Sequence, residues 1–598
     1  MKKWLKRICT AMYAPVKNNL WFFFWMYLLG MACVLLVLRT GKHRSPVDLF
    51  LDLYLLCALL LIFPRRIRGW VRALLYVVFY GLALIDVFCY YRLGGAIGPS
   101  LLQNVLQTNP REASEALSSY VTWQSICTPV LVIVALLIAH IVTTVCRARC
   151  NPSSAFGRWL HWRLPAKKEP IAGAACLVAT VLSIFITWQD KRFLYYNICK
   201  ADTNLEMQYY LQKYPTVTDF YLPVYRLLHA VNVVRISQNE IETLVERADK
   251  AKVYSCSFRS SNIVLVIGES YNRHHAAFYG YDKPTTPWQS EAARDSVITV
   301  FTDVVAPFHQ TSEVFKLAFS LYAYGEKGSM ADYPLFTQLF LKAGYHVTFI
   351  TNQYVQSPIQ NTWDFGGSNI INEPSLSRSQ FSDRNTTLHD YDEDLLADYD
   401  SLRTRQTDHN LIIFHLMGQH VNYNERYPDG YDRFHTADYN RPDLTEHERE
   451  ILSEYDNSTL YNDEVMRRIV ALFADKDAIV IYMPDHGEMM FDHEGSGEYG
   501  ESFGRTMDVT TDSQVRQQFE IPFWIWMSDA YRKNHPDICR QVNEAKDKPF
   551  MTDNLDMLLL GLAGISCPDY RPDDDLLNPS YDSSQPRMLM GTIPYKRH

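Results

Sequence analysis

The chain has 598 residues, a formal net charge of −8 and 47% hydrophobic content, which excludes one compact core and fits two or three domains. Two unlike parts lie behind that average: apolar blocks dominate up to residue 188, and an ordinary soluble composition rich in Asp, Asn and Tyr follows. Its 12 cysteines are too scattered for a dense disulfide framework, and none forms a CxxC metal motif.

In chain order, nearly uncharged blocks occur at 21–38, 47–63, 73–91, 128–146 and 171–188. Each approaches the roughly 20 residues a helix needs to cross a bilayer, so the sequence predicts an α-helical membrane domain of five spans, residues 1–188. The first block lacks a small-residue cleavage site and four more follow it, which excludes a cleaved signal peptide. Lys2, Lys3, Lys6 and Arg7 precede span one; Arg65, Arg66 and Arg68 follow span two; Arg147, Arg149, Arg158, Arg163, Lys167 and Lys168 follow span four. Excess positive charge marks the cytoplasmic side, so residues 189–598 fall outside, in the periplasm of a bacterial cell. The loop with Arg39, Lys42 and Arg44 runs mildly against this. Asp52 and Asp86 fall inside spans two and three, where an ionisable group either faces protein or water as a functional candidate or marks interface depth. Cys33, Cys57, Cys89 and Cys176 lie within spans; Cys199, Cys256, Cys539 and Cys567 lie beyond them and leave room for one or two bridges.

Residues 189–252 read as an amphipathic connector, with Leu222, Val224, Leu227, Leu228, Val231 and Val234 at near-helical spacing. Such a helix lies along the membrane surface or packs on the soluble domain. Residues 253–598 form the outer domain. Apolar runs at 263–267, 346–351, 411–416 and 478–482 read as buried parallel strands. Helices are predicted over 312–322 and 453–473, giving a doubly wound α/β sheet, while 375–408 reads as a surface insertion.

Ligands of such sheets collect beyond the carboxyl ends of the strands. There the first strand runs into Gly268-Glu269-Ser270, the third into Gly418-Gln419-His420 and the fourth into Pro484-Asp485-His486-Gly487-Glu488. Glu269, Asp485 and His486 make three oxygen and nitrogen donors of the kind that suits zinc, with a fourth position open for chemistry. Taken singly, an Asp-His pair in a turn is more often a cap; the shared strand-end location favours the metal.

These residues resemble those of a known family, the phosphoethanolamine transferases that modify bacterial lipopolysaccharide, of the sulfatase and alkaline-phosphatase-like superfamily. Gly268-Glu269-Ser270, Arg273, Tyr279-Gly280-Tyr281 and Thr285-Thr286-Pro287 look like its GES…R…YGY…TTP signature, and Asp485-His486-Gly487-Glu488 looks like its DHGE signature. In the membrane part, Asn104-Val105-Leu106-Gln107-Thr108-Asn109 with Glu112-Ala113 is similar to the family's NVLQTN..EA segment. The resemblance spans nearly the whole chain and implies a periplasmic alkaline-phosphatase-like α/β domain carried by an inner-membrane domain. It implies a metal-bound threonine nucleophile about forty residues beyond the Glu, here Thr311, with Ser312 and Ser270 as competing hydroxyls. At a helix start, an alkoxide gains from the helix dipole as well as from the cation; the alternative is a simple N-cap threonine. It further implies substrate histidines at His420 and His493, and Asn352 and Gln353 as an NQ pair that contacts phosphate or positions the helix. Asn104, Thr108 and Glu112 resemble positions that receive the lipid headgroup.

The implied reaction moves phosphoethanolamine from phosphatidylethanolamine to lipid A, a core sugar or another envelope glycan, with one or two Zn2+ ions, in a monomer without a nucleic-acid partner. One branch of the family has a cysteine beside the threonine and several disulfides. This chain has His309-Gln310 there and resembles the other branch, linked to core sugars or other acceptors. Three rivals remain. A phosphoglycerol transferase similar to lipoteichoic acid synthases is disfavoured by the NVLQTN-like and YGY…TTP segments. A sulfatase is disfavoured because no C/S-x-P-x-R segment lies near 263–267. A non-catalytic lipid or glycan binder is disfavoured by the intact Glu269, Thr311, Asp485 and His486.

Overall fold

The computed structural model describes residues 2–37, 44–92, 95–99, 101–102, 129–151, 154–203, 206–207, 210–211, 220–323, 328–353, 367–492, 503–504, 509 and 511–597. They divide into two compact units, residues 1–237 and 238–598. Asn104, Thr108, Glu112 and His493 lie outside the described residues.

The first unit is helical: α1 (Lys2–Val37), α2 (Ser45–Leu60), α3 (Arg65–Arg92), α4 (Val130–Arg149), α5 (Glu169–Tyr195) and the start of α6 (Pro223–Lys250). Among the described residues four helices are long and apolar enough to cross a membrane, in α1, α3, α4 and α5. The second apolar block folds as α2, whose 16 residues rise only about 24 Å against the roughly 30 Å of a hydrocarbon core. Proline inside α1 removes a backbone donor, and four residues past Pro15 the helix bends at Asn19. The Asn19 side chain donates to the carbonyls of Pro15 (3.0 Å) and Cys57 (3.1 Å), fastening the bend to α2. Where α1 meets α5, a Cβ on Gly173 would lie 1.5 Å from the Cys9 carbonyl oxygen, so only glycine permits that approach.

Both aspartates within the spans face protein. Asp86, fully buried, accepts two bonds from the Arg226 guanidinium (2.9 and 2.6 Å) and one from the Ile97 amide (3.0 Å). Asp52 pairs with Lys191 (2.6 Å) and accepts from the Tyr221 and Tyr225 hydroxyls, and Lys191 also reaches Asp48 at 2.8 Å. These contacts rotate the connector helix relative to the sequence reading. Arg226, His229, Ala230, Val233 and Val234 are buried, whereas Leu228 and Val231 are 44% and 47% exposed. Charge pairing, invisible to an apolar-periodicity argument, sets that face.

The second unit is built on a seven-stranded sheet. Its strands are β1 (Asn262–Gly268), β2 (Ile298–Val300), β3 (His346–Thr351), β4 (Asp383–Arg384), β5 (Asn410–His415), β6 (Ala478–Pro484) and β7 (Trp524–Met527), in the spatial order β2-β7-β6-β1-β5-β3-β4. Only β7 runs antiparallel to its neighbours. The central strands are apolar along most of their length and buried on both faces, as a sheet covered by helices requires. Register sets where the strands end: Gly268 lies opposite Pro484, and Ile267 opposite His415, so β1, β5 and β6 end at one level.

Two expectations fail in this unit. Residues 375–408 are no surface insertion: they supply β4 and buried Leu376, Asp392, Leu395 and Tyr399, the last two in the main core. Cys256, Cys539 and Cys567 are free thiols, so none of the bridges the sequence leaves room for joins these three.

Breaking a buried ion pair by removing one partner costs about 3–5 kcal/mol, because the other charge stays buried and uncompensated. Asp86→Ala and Arg226→Met should therefore each lower the unfolding midpoint of the detergent-solubilised protein strongly. The double variant should lose less than the sum of the two singles.

Candidate active site

Because β1 and β6 are in register, the residues that follow them, Glu269 and Asp485, emerge side by side; the Asp485 amide donates to the Gly268 carbonyl at 3.1 Å. Ligating atoms of Glu269, Asp485 and His486 lie within 4.8 Å of one another, and all three residues are buried. The His486 Nδ1 faces the Gly487 carbonyl at 2.7 Å, which makes Nδ1 the protonated nitrogen and turns the Nε2 lone pair toward the carboxylates, 3.5 Å from Glu269 and 3.3 Å from Asp485.

Glu269 organises the hydroxyls around the cluster. Its Oε2 accepts from Thr311 Oγ1 (3.0 Å) and Gln353 Nε2 (3.0 Å), and its Oε1 accepts from Ser270 Oγ (2.7 Å). Thr311 opens helix α8 (Thr311–Phe319), following an extended Gln310, at the positive end of the helix dipole. Ser270 has a different role. Its backbone is left-handed at φ 52°, which costs a non-glycine residue of order 1–3 kcal/mol. The Ser270 amide donates to Asp485 Oδ1 and its carbonyl accepts from the Tyr455 hydroxyl. Ser270 is 0% exposed and Thr311 8%, so of the two residues whose hydroxyls bond Glu269, Thr311 is the less enclosed.

The loop after β5 drapes over Glu269. A Cβ on Gly418, at φ +49°, would lie 2.9 Å from the Glu269 amide nitrogen, and the Gln419 amide donates to the Glu269 carbonyl (3.1 Å). His420, partly exposed, follows directly. Asn352 is fully buried and binds the Asp392 carboxylate (2.9 Å) and the His389 amide (2.8 Å). Asp392 in turn holds the amides of Met417 and Gly418. Asn352 thus supports the loop, whereas Gln353 bonds to Glu269 itself. Asp392 and Tyr455 were missed from sequence: the first lay in the supposed insertion, and nothing distinguishes the second from a helical core tyrosine.

Signature residues that do not touch the cluster hold the loop that follows it. His275 is buried between Asp456 (2.8 Å) and Asp492 (3.0 Å), and Asp456 also accepts from Tyr281 and Tyr439. Thr285 bonds the His275 carbonyl, and Asp463 caps the amides of Trp288 and Gln289 at the start of helix α7 (Pro287–Arg294). Burial alone would push the His275 pKa down; the two carboxylates outweigh it and hold it at about 10.

A family model described as Sulfatase matches residues 261–565, and one described as Phosphoethanolamine transferase EptA/EptB matches residues 53–154. Phosphoethanolamine transferase EptC of Escherichia coli (strain K12) is 26% identical over 96% of this chain and 93% of its own length. Phosphoethanolamine transferase CptA of Salmonella typhimurium is 27% identical over 90% of this chain and 86% of its own. The crystal structure of the C-terminal periplasmic domain of EcEptC from Escherichia coli in complex with Zn covers 56% of this chain and 90% of that one, at 28% identity and a TM-score of 0.48.

His275 stays protonated in the folded state up to about pH 10, against about 6.5 when unfolded. Its contribution to stability is complete below pH 6.5 and falls away as pH rises through 10. Thermal midpoints should therefore decline between about pH 7 and 10, and His275→Gln, less stable at neutral pH, should flatten that decline.

Proposed function

The chain belongs to the sulfatase family, in the branch that holds the phosphoethanolamine transferases, and from that membership we propose that it transfers phosphoethanolamine from phosphatidylethanolamine to lipid A, a core sugar or another envelope glycan. The observation that carries this reading is the Thr311 hydroxyl bonded to Glu269 within the Glu269, Asp485 and His486 cluster. Two buried carboxylates, an oriented imidazole and a hydroxyl form an oxygen and nitrogen donor set that fits zinc. Glu269, Asp485, His486 and Thr311 would hold one Zn2+, or the first of two. When bound, the metal supplies positive charge that lowers the threonine pKa and offsets charge on phosphoryl oxygens.

The residues then divide the work. Thr311 releases its proton to solvent and its oxygen bonds to phosphorus, while the bond to the diacylglycerol oxygen breaks. His420 donates the proton that releases diacylglycerol as an alcohol, and His493 binds the substrate phosphate. In the second half, an acceptor hydroxyl attacks phosphorus and passes its proton to His420, the bond between phosphorus and the Thr311 oxygen breaks, and Thr311 takes back a proton from solvent. Gln353 orients Glu269, and Asn352 keeps the loop bearing His420 in place through Asp392. Asn104, Thr108 and Glu112 receive the headgroup, the Glu112 carboxylate pairing with the ethanolamine ammonium.

The same reading sets the chain in the bacterial inner membrane as a monomer with five spans, α2 being the short one. Residues 1–188 are the membrane domain, 189–252 the connector and 253–598 the periplasmic catalytic domain. A periplasm-specific reporter fused after His598 should be active, as an odd span count from a basic cytoplasmic start requires; activity of a cytoplasmic reporter at that position would overturn the count.

Thr311→Ala should abolish transfer with the fold intact, and Thr311→Ser should keep part of it. Ser312→Ala and Ser270→Ala should lose less, since neither hydroxyl bonds phosphorus. Intact mass after incubation with phosphatidylethanolamine should rise by one phosphoethanolamine, mapped by fragmentation to Thr311. Chelation should remove both transfer and adduct, with zinc restoring them. An adduct mapped to Ser270 or Ser312 would overturn the nucleophile assignment.

A further inference from the structure

A cavity of about 430 Å3 lies in the second unit between the segment after His420 and the first turns of helix α9 (Glu446–Ala471). Four carboxylates line it: Asp429 and Asp432 from the segment, Glu450 and Glu454 from α9. Among the described residues no lysine or arginine lines it, and the ion pairs of these four are with histidines alone, His435 beside Asp432 and His447 beside Glu450. Burial and the neighbouring Glu450 hold the Glu454 carboxyl above its ordinary range. The rest of the wall carries the rings of Tyr391, Tyr427, Phe434 and His435 among smaller side chains, Asn424 and Ser453 included.

The cavity is tied to the candidate active site through its chain neighbours. Asn424 follows Tyr423, whose hydroxyl donates to Glu488 Oε1 (3.0 Å) in the strand-end motif. Glu454 precedes Tyr455, whose hydroxyl donates to the Ser270 carbonyl (2.7 Å). The two tyrosine rings meet edge to face at 5.1 Å. Both walls of the cavity thus continue directly into residues that hold the cluster.

We propose that this cavity binds a sugar carrying a protonated amine. Each lining feature answers one part of such a ligand. The carboxylates attract an ammonium and accept from hydroxyls, and they repel phosphate or sugar acids. Aromatic faces pack on the C–H face of a pyranose and favour a cation above them. The volume suits a ligand of one or two sugar rings and exceeds what a metal ion or a free ethanolamine fills. The proposal rests on the transferase reading only in making that sugar part of the acceptor; the binding itself does not depend on turnover.

The test is calorimetric titration of the full-length protein in detergent at about pH 6.5, where a sugar amine is protonated. The probes are diglucosamine with free amines, its di-N-acetylated counterpart, ethanolamine and calcium chloride. Diglucosamine should bind at least about tenfold tighter than the acetylated disaccharide, which has the same shape without the charge. Glu450→Gln with Glu454→Gln, a nearly isosteric pair of changes, should weaken it by about tenfold at an unchanged unfolding midpoint, and Tyr427→Ala should weaken it as well. Thr311→Ala should bind diglucosamine as the native protein does, so failure of the nucleophile and failure of the cavity are read separately. Equal binding of the two disaccharides, ethanolamine or calcium binding as tightly as diglucosamine, indifference to the glutamine pair, or no binding would each overturn the proposal.

Discussion

Two carboxylates, Glu269 and Asp485, are held fully buried, with ligating oxygens within 4.8 Å of each other and of the His486 imidazole. Like charges at that distance in a dry site repel strongly, and an uncompensated buried charge is expensive. The surrounding structure is arranged around that constraint. Parallel register puts the two strand ends level, the amides of Ser270 and His486 donate to Asp485, and hydroxyls and an amide side chain donate to Glu269. The left-handed Ser270 is the backbone consequence: only with the chain turned sharply there do its amide, carbonyl and hydroxyl all reach their partners.

The donors account for only part of the signature sequence. Arg273 and His274 are bound to buried Glu520, Tyr281 reaches Asp456, and Thr285 fastens the His275 carbonyl. None of these touches the cluster; each fixes the loop that leaves it. Loops carry chemistry only where a rigid support removes their freedom, and here buried ion pairs and tyrosine hydroxyls add to the core packing of Tyr271, Ala276 and Phe278. The His275 imidazole, between two aspartates, is the most enclosed of these ties.

In the helical unit the same device appears in a different solvent. Ionisable groups within apolar spans are costly unless paired, and Asp86 with Arg226, and Asp52 with Lys191, join helices that are distant in sequence. Such pairs add specificity more than stability: they determine which face of α6 turns inward, and they expose leucine and valine that a periodicity argument would bury.

From its sequence alone, the chain's membrane-borne first part and α/β second part were legible, since both rest on local patterns: apolar blocks near bilayer length, and short apolar runs between helices. The central strands lie within two residues of where the runs place them, as 263–267 against Asn262–Gly268 illustrates. The strand-end residues were also legible as a cluster, because a doubly wound sheet brings carboxyl ends together. What only the tertiary structure decided were matters of long-range pairing. The two-residue strand Asp383–Arg384 is too short to leave a pattern, so its segment read as an insertion although it closes the sheet and supplies Asp392. The support of Asn352 for the loop after β5, the seat of Ser270 on Tyr455, and the inward face of α6 each depend on partners dozens to hundreds of residues away. Periodicity records how much of a residue is apolar; it carries no record of which distant charge or hydroxyl that residue meets.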